Sequence, residues 1–376
     1  MSQIKGKMKK AIRVLHVFGV LDRGGAESMI MNIYRKIDKK TIQFDFVIHT
    51  MQECDYSNEV IKLGGKIFSA PKFEVSQIKQ YKKWWKSFLL EHKNDYKAIH
   101  IHMRSTASLY IPIAKDYHIK TIIHSHSISD GKGFEAYRKK VLQFPLRFQA
   151  DYLFACSVES AEWLFGKRVQ NRTNFYILKN SIDLDVFTFS NSRREQIREE
   201  LGIQPDEFII CHVGNFTKAK NHSFLIDVFY EFRKLKKGKL LLVGADNEKL
   251  RDGIENKIAE FKLKNDVLLL GSRSDVPSIL SASDVFVFPS QWEGFAVSVL
   301  EAQAIGLNCY ISDKIPKEVI LTDLVHVLPL NNDGKMWAKH IINNRVDSPE
   351  AHNQIKESGY DVNRNVSWIT DFYLSC

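Results

Sequence analysis

The chain has 376 residues, 44% hydrophobic and 11% aromatic, which is the make-up of a globular protein and excludes a disordered or fibrous one. That length is too great for one ordinary core and predicts two domains, and no apolar run approaches the roughly 18 residues of a membrane span. The formal charge of +10 is uneven: residues 1–185 carry 31 Lys and Arg against 18 Asp and Glu, whereas residues 186–376 carry 23 against 26.

The basic half comes first and suggests attraction to an anionic surface. Phospholipid, a lipid-pyrophosphate acceptor and nucleic acid would all fit. No zinc-finger spacing or RNP-like aromatic run is present, so nucleic acid is not expected as a partner and a membrane surface is the better reading. Basicity that merely aids solubility remains the plain alternative.

The run Lys5 to Lys10 followed by apolar Ala11 to Leu21 could mimic a signal peptide. Arg13 and His16 interrupt the apolar part, and Asp22-Arg23-Gly24-Gly25 replaces a small-residue cleavage site. The stretch therefore reads as a first core strand, with Met1 or Met8 as the start. Further strands are expected at Gln43–Ile48, Lys66–Phe68, Ala98–Ile101, Lys120–Ile123, Tyr152–Ala155 and Phe175–Leu178, with helices at Glu27–Arg35 and Gln77–Glu91.

A polar, weakly periodic stretch from Asp183 to Arg194 is the candidate hinge. Beyond it, strands are expected at Phe208–Val213, Lys239–Val243, Val267–Leu270, Val285–Phe288 and Cys309–Ile311. Helices are expected at Asn221–Lys234, Lys249–Phe261, Val276–Ser281 and Phe295–Ala304. Strands alternating with helices predict parallel sheets, hence an α/β chain of two doubly wound domains with ligands at the carboxyl ends of their strands. The division predicted is 1–185 and 186–361. The five cysteines (54, 156, 211, 309 and 376) are odd in number and form no CxxC pair, as expected of reduced cytoplasmic thiols.

Several strand ends carry residues suited to chemistry. Gly24 and Gly25 permit close backbone approach before a helix whose first N–H groups could hold an anion, although an ordinary strand-to-helix turn has the same appearance. No GxGxxG fingerprint is present. His100, His102, His124 and His126 form two i, i+2 pairs, each on one face of a strand. Four histidines could bind a metal, but no acid or cysteine stands near them, and no metal site is expected. Arg104 could meet an acceptor phosphate or be a plain surface arginine.

In the second half, Lys218 and Lys220 follow a strand and precede a helix, an arrangement that suits a diphosphate. After Val285–Phe288 come Ser290, Glu293, Gly294, Phe295 and Glu301. Two acids eight residues apart on a helix would be separated by roughly 12 Å. A glycosidase pair stands about 5–9.5 Å apart, so these acids read as two contacts on one extended ligand. Glu301 as a solvated helix acid is the plain alternative.

Glu-x7-Glu after Asp284-Val-Phe-Val-Phe-Pro289-Ser290 resembles the donor-site signature of the retaining glycosyltransferases of family 4, and especially their capsular and exopolysaccharide branch. The resemblance runs over nearly the whole chain through Gly24-Gly25, His124-Ser-His126, Asn180-Ser-Ile-Asp183, Lys220, Val243-Gly244 and Gly271-Ser-Arg273. It implies the GT-B fold, with two Rossmann-like domains facing a central cleft and a last helix within 362–376 that returns to the first domain. It implies a UDP-sugar donor and catalytic roles for His126, Lys220 and Glu293. Donor contacts are implied for Gly24, Gly25, Asn215, Lys218, Gly244, Arg273, Ser290, Gly294, Phe295 and Glu301, and acceptor contacts for Arg104 and His124. Asn215 departs from the family pattern, which has arginine there.

The expected activity is retaining, metal-independent hexosyl or N-acetylhexosaminyl transfer, with no cofactor, to a lipid-linked or growing glycan. It would serve surface polysaccharide synthesis in the cytoplasm or at the inner face of the cell membrane. Two competing readings are a noncatalytic glycosyltransferase-like partner subunit and a GT-B UDP-sugar epimerase.

Overall fold

A computed structural model describes residues 10–126, 140–331, 333–343, 346 and 348–376. The Lys5–Lys10 run and the alternative starts fall almost wholly outside them. The chain divides into two compact units, one of residues 1–180 with 362–376 and one of residues 181–361.

The first unit is built on seven strands: β1 Ile12–Val17, β2 Ile42–Ile48, β3 Ile67–Ser69, β4 Tyr96–Ile101, β5 Lys120–Ser125, β6 Tyr152–Ala155 and β7 Phe175–Ile177. Their order is β3-β2-β1-β4-β5-β6-β7, and every pairing is parallel. Strands covered on both faces read as largely apolar runs; β2 is buried along its whole length, and its two polar residues are partnered, Asp45 by Arg13 and Gln43 by Tyr34. One face packs Trp85, Tyr81 and Tyr110. The other packs the helix Gly25–Lys36 and the last helix, Val362–Ser375, through Ile369, Phe372 and Tyr373.

The second unit has six strands: β8 Phe208–Val213, β9 Gly238–Val243, β10 Val267–Gly271, β11 Val285–Phe288, β12 Asn308–Ser312 and β13 Val325–Leu328. They run in the order β10-β9-β8-β11-β12-β13, again all parallel. The strand β13 has no counterpart among the strands expected from sequence. Its pattern is weak because His326 breaks the apolar run, and its ring is held by Asn308 Oδ1 at 2.9 Å.

The division falls at Asn180–Ser181, five residues before the boundary read from sequence. The Asp183–Arg194 stretch is part of the second unit. Ile182 donates its N–H to Tyr360 O, and Leu184 and Phe187 enter the core. At its end Ser190 caps the helix Asn191–Glu200, its Oγ accepting from Arg193 N. That helix is pinned to the start of β11. Arg194 and Arg198 both donate to the Asp284 carboxylate, at 2.8 and 3.0 Å, and also to carbonyls of residues 281–283. Asp284 further accepts Ile209 N–H of β8 at 2.7 Å.

Removing a carboxylate that two guanidiniums and a backbone N–H share leaves all three donors undersatisfied. Asp284→Ala should therefore destabilise the second unit by about 3 kcal/mol, read as a lower urea midpoint for that unit's transition.

Candidate functional site

A doubly wound sheet places its ligands where the strand order reverses, at the carboxyl ends. In the second unit that reversal lies between β8 and β11. The loop leaving β8 carries a 3-10 turn, Lys218–Lys220, and the helix His222–Leu235 follows. The loop leaving β11 runs from Pro289 to the helix Val297–Ile305. Three links join the two loops. Gln291 N–H donates to Ala219 O at 2.7 Å, Asn221 Nδ2 donates to Pro289 O at 3.2 Å, and Lys220 Nζ donates to Glu293 Oε1 at 2.8 Å. Lys220 also lies over the Phe288 ring, 4.5 Å from its centroid. Two side chains singled out from sequence are thus brought together as a part-buried ion pair.

Sequence reasoning did not single out Asn221 or Gln291 as site residues. Asn221 has φ 55° and ψ 43°, a left-handed conformation that asparagine tolerates at a turn. That conformation was its one local signal.

The helix after β11 begins at Val297, two residues later than expected. Glu293 and Gly294 therefore precede it, and the separation inferred along a helix axis from Glu293 to Glu301 does not apply. Ala296 at the N-cap offers no side-chain cap, and the first turn holds no acid. This leaves the helix start suited to an anion. The Phe295 ring is buried and stacks on Tyr360 with centroids 5.3 Å apart, so it serves the core, and only its backbone remains for a ligand. Ser290 is fully buried; its carbonyl accepts from Ser312 Oγ, and its own Oγ has no partner among the described residues.

Glu301 lies mid-helix and part-buried. Burial pushes its pKa up to about 8, against an ordinary 4.5. It is not a solvated surface acid.

Other expected donor contacts have internal partners. Asn215 Oδ1 accepts Ala245 N–H at 2.9 Å, which ties the loop after β8 to the loop after β9. Gly244 has φ 153°, and a Cβ there would stand 2.3 Å from Gly214 O, so these loops can meet only at a glycine. Arg273 is held by both oxygens of Asp275, at 2.8 and 2.7 Å, and by Glu200 at 2.9 Å. The guanidinium is thus engaged by its own loop and by Glu200. Lys218 is exposed at the start of the 3-10 turn.

In the first unit the strand order reverses between β1 and β4. Gly24 is the N-cap of the helix after β1, and Gly25 is its exposed first residue. A Cβ on Gly24 would meet Glu27 Oε2 at 2.3 Å, so the Glu27 carboxyl lies against the glycine. Burial, with the Asp22 charge adding to it, raises the Glu27 pKa to about 7. Glu27 was not singled out from sequence; an acid three residues past Gly24 was the available signal.

The histidines belong to a larger buried cluster. His16 Nδ1 lies 3.0 Å from His102 Nε2, and His102 Nδ1 lies 2.7 Å from His126 Nε2. A second line joins Tyr373 OH to His100 Nδ1 at 2.5 Å and His100 Nε2 to His124 Nδ1 at 3.1 Å. His124, for which an acceptor contact is expected, is fully buried inside this cluster. His16 was read from sequence only as an interruption of an apolar strand.

Burial holds every ring neutral; the pKa values of His16 and His126 fall to about 3, and Arg104 adds to the shift at His126. Two histidine triplets offer nitrogens within 4.8 Å of one another. Their short contacts are hydrogen-bond distances between neutral rings, and no carboxylate belongs to either triplet to offset a cation's charge. Arg104 donates to Ser125 Oγ at 3.2 Å and lies over the Trp163 ring at 4.9 Å. Burial lowers its pKa to about 10.

Two family models match the chain: Glycosyltransferase Family 4 over residues 23–214 and Glycosyl transferases group 1 over residues 193–362. A Bacillus subtilis (strain 168) protein with the name "Putative glycosyltransferase EpsF" is 33% identical over 371 residues, covering 96% of each chain. An Escherichia coli UDP-Gal:alpha-D-GlcNAc-diphosphoundecaprenol alpha-1,3-galactosyltransferase is 27% identical over 249 residues, 64% of this chain and 63% of that one. Anabaena HepE, solved with UDP and glucose, superposes with a TM-score of 0.79 at 17% identity, over 97% of this chain and 100% of that one. These similarities agree with two parallel-sheet Rossmann-like domains in the GT-B fold.

The raised Glu301 pKa has a sign that can be checked. Between the ordinary 4.5 and about 8, the folded chain keeps a proton that the unfolded chain has released. The acid's contribution to stability is therefore present below that range and is lost as pH rises through 8. Relative to Glu301→Gln, the ligand-free wild type should lose melting temperature steadily from pH 5 to about 8 and no further above it. Scanning calorimetry of the two proteins across this range checks the prediction.

Proposed function

The chain belongs to the glycosyltransferases that carry a family 4 domain followed by a group 1 domain, and from that membership we propose that it is a retaining, metal-independent enzyme that moves a hexose or N-acetylhexosamine from a UDP-sugar. The acceptor is a lipid-linked or growing glycan in surface polysaccharide synthesis. The observation that carries this reading is the Lys220–Glu293 pair at 2.8 Å where the strand order reverses. A cation for a diphosphate and an acid for sugar hydroxyls stand side by side there, beside a helix start without a side-chain cap.

UDP as the nucleotide is supported by the HepE structures with UDP and UDP-glucose and by the named UDP-Gal donor of the Escherichia coli relative. A lipid-diphosphate acceptor is supported by that relative's name and by the basic first half of this chain. The same basicity favours attachment to an anionic membrane surface. No helix among the described residues is long and apolar enough to cross a membrane.

The bond that breaks joins the anomeric carbon to the terminal phosphate oxygen of the nucleotide diphosphate. Positive charge gathers on the sugar and negative charge on the departing phosphate. Preorganised donors aimed at that phosphate are the main lever for rate. Lys220 fills this role, with Lys218 and the backbone at Gly294–Phe295 assisting. Glu293 accepts hydrogen bonds from the sugar hydroxyls and Glu301 from the ribose. Front-face attack, with the leaving phosphate taking the acceptor's proton, gives retention. Within the first unit, the resemblance supports a sugar contact for His126, a diphosphate contact for the Gly24-Gly25 backbone and an acceptor-phosphate contact for Arg104. Asn215, in the arginine position and turned to Ala245, favours a noncatalytic partner subunit as the second reading.

Incubation of the purified chain with UDP-, GDP- and ADP-sugars, with and without EDTA, tests the proposal through nucleotide release. Release from one UDP-sugar that EDTA does not abolish is expected; no release together with no UDP binding by calorimetry would favour the partner subunit. Lys220→Ala should lower turnover about a hundredfold, the equivalent of roughly 3 kcal/mol. Glu301→Ala should weaken UDP and donor alike, whereas Glu293→Ala should weaken the sugar donor more than UDP. Equal loss of UDP binding in both variants would reverse the assignment of the two acids.

A further inference from the structure

The histidine line His16–His102–His126 crosses three neighbouring strands, and only its last member, His126, enters the mechanism above. It is drawn together by sheet order alone, since β1 pairs with β4 and β4 with β5. His16 is fully buried on β1 against the rings of Phe44 and Phe46. His102 stacks on Phe18, with centroids 4.2 Å apart and planes 8° apart. His126 follows the end of β5. Both nitrogens of His102 are engaged, one by each neighbour.

A neutral imidazole has one N–H donor and one bare acceptor nitrogen. Two adjacent contacts through His102 therefore leave only two consistent arrangements, with all protons pointing one way along the line or all pointing the other. The two ends decide between them. At one end, Nδ1 of His126 and Oδ1 of Asn180 are both buried, and neither has a hydrogen-bond partner among the described residues. The Asn180 side chain is near enough to raise the His126 pKa, and an acceptor oxygen there favours a proton on Nδ1. At the other end, His16 Nε2 is buried without a partner. A buried N–H with no acceptor is rarer in proteins than an undersatisfied acceptor, so that nitrogen is the bare one.

We propose that His16 and His102 are positioning residues that fix His126 as the Nδ1–H tautomer. His16 Nδ1–H donates to His102 Nε2, and His102 Nδ1–H donates to His126 Nε2. Two consequences follow. His126 meets a ligand as a hydrogen-bond donor through Nδ1, exchanging Asn180 for a sugar oxygen, and the imidazole does not act as a base there. The choice of proton position at the strand end is made by a ring on β1, beyond reach of any ligand. The first consequence rests on the reading of His126 as a donor-sugar contact, but the tautomer itself does not.

The test is 15N NMR of the full chain labelled at histidine, with rings assigned by single substitution. Ring nitrogens with and without a proton differ widely in shift, so the wild-type spectrum alone decides the direction. The expected result is a protonated Nδ1 and a bare Nε2 on His126. A proton on His126 Nε2 overturns the proposal, as does one equivalent of tightly held zinc with metal-bound histidine shifts. His16→Gln keeps an amide donor toward His102 and should hold the wild-type pattern. His16→Leu removes the donor and should give mixed tautomers at His102 and His126; an unchanged pattern in a folded His16→Leu protein overturns the proposal. In the transfer assay His16→Leu should lower kcat about tenfold with donor KM little changed, and His16→Gln should restore it. Absence of transfer in the wild type would count against the enzymatic reading and leave the tautomer result standing.

Discussion

Parallel pairing of every strand is the constraint from which the chemistry follows. Each crossover returns the chain to the same edge, so all loops leaving strand carboxyl ends collect on one side of their own sheet. Where consecutive strands diverge to opposite sides, between β8 and β11 in the second unit and between β1 and β4 in the first, two such loops flank a gap that no crossover helix fills. Lys220 and Glu293 are 73 residues apart in sequence and adjacent in space for that reason. The same argument places Gly24-Gly25 and Arg104 after the two strands that diverge in the first unit.

The Lys220–Glu293 contact has a specific electrostatic meaning. At 2.8 Å with an effective dielectric near 20, the direct attraction is about 6 kcal/mol, most of it offset by desolvation of the two groups. A part-buried lysine with an acid partner costs the ligand-free protein less than an unpaired one. In the proposed reaction a diphosphate, with more negative charge than a carboxylate, would offer Lys220 a better partner and free Glu293 for the sugar hydroxyls. In the ligand-free protein the ammonium also lies over the Phe288 ring.

The fold was legible because buried parallel strands are written as short, largely apolar runs, and twelve of the thirteen strands were expected on that pattern; β8 to β11 also end at Gly214, Gly244, Gly271 and Pro289. β13 was not, since His326 is tolerated only because Asn308, distant in sequence, receives its ring. Ser190 marks a helix start, but a run of charged residues after it hides the periodicity, and the segment looked like a hinge. Glycines were legible as sites and ambiguous as to cause. At Gly244 the demand comes from the protein's own backbone at Gly214. At Arg273 the sequence shows a cation in a loop but not that Asp275, two residues on, holds its guanidinium. His16 was illegible as a partner because nothing local distinguishes it, and His102 lies 86 residues away.

The two units meet the same topological opportunity with opposite chemistry. At the β8–β11 divergence the polar groups are ions, part-exposed and paired. At the β1–β4 divergence they are neutral imidazoles packed against Phe18, Phe44, Phe46 and Phe154. In that surrounding a charged ring would lose its hydration without gaining a counter-ion, which is why every histidine of the cluster is driven to its neutral form. The histidines of the first unit can therefore orient hydrogen bonds but cannot supply charge, and Arg104 is the cation that stands beside them. Stabilising a departing diphosphate is a demand for charge. In the proposed reaction that demand is met in the second unit, where Lys220 stands paired with Glu293 at 2.8 Å.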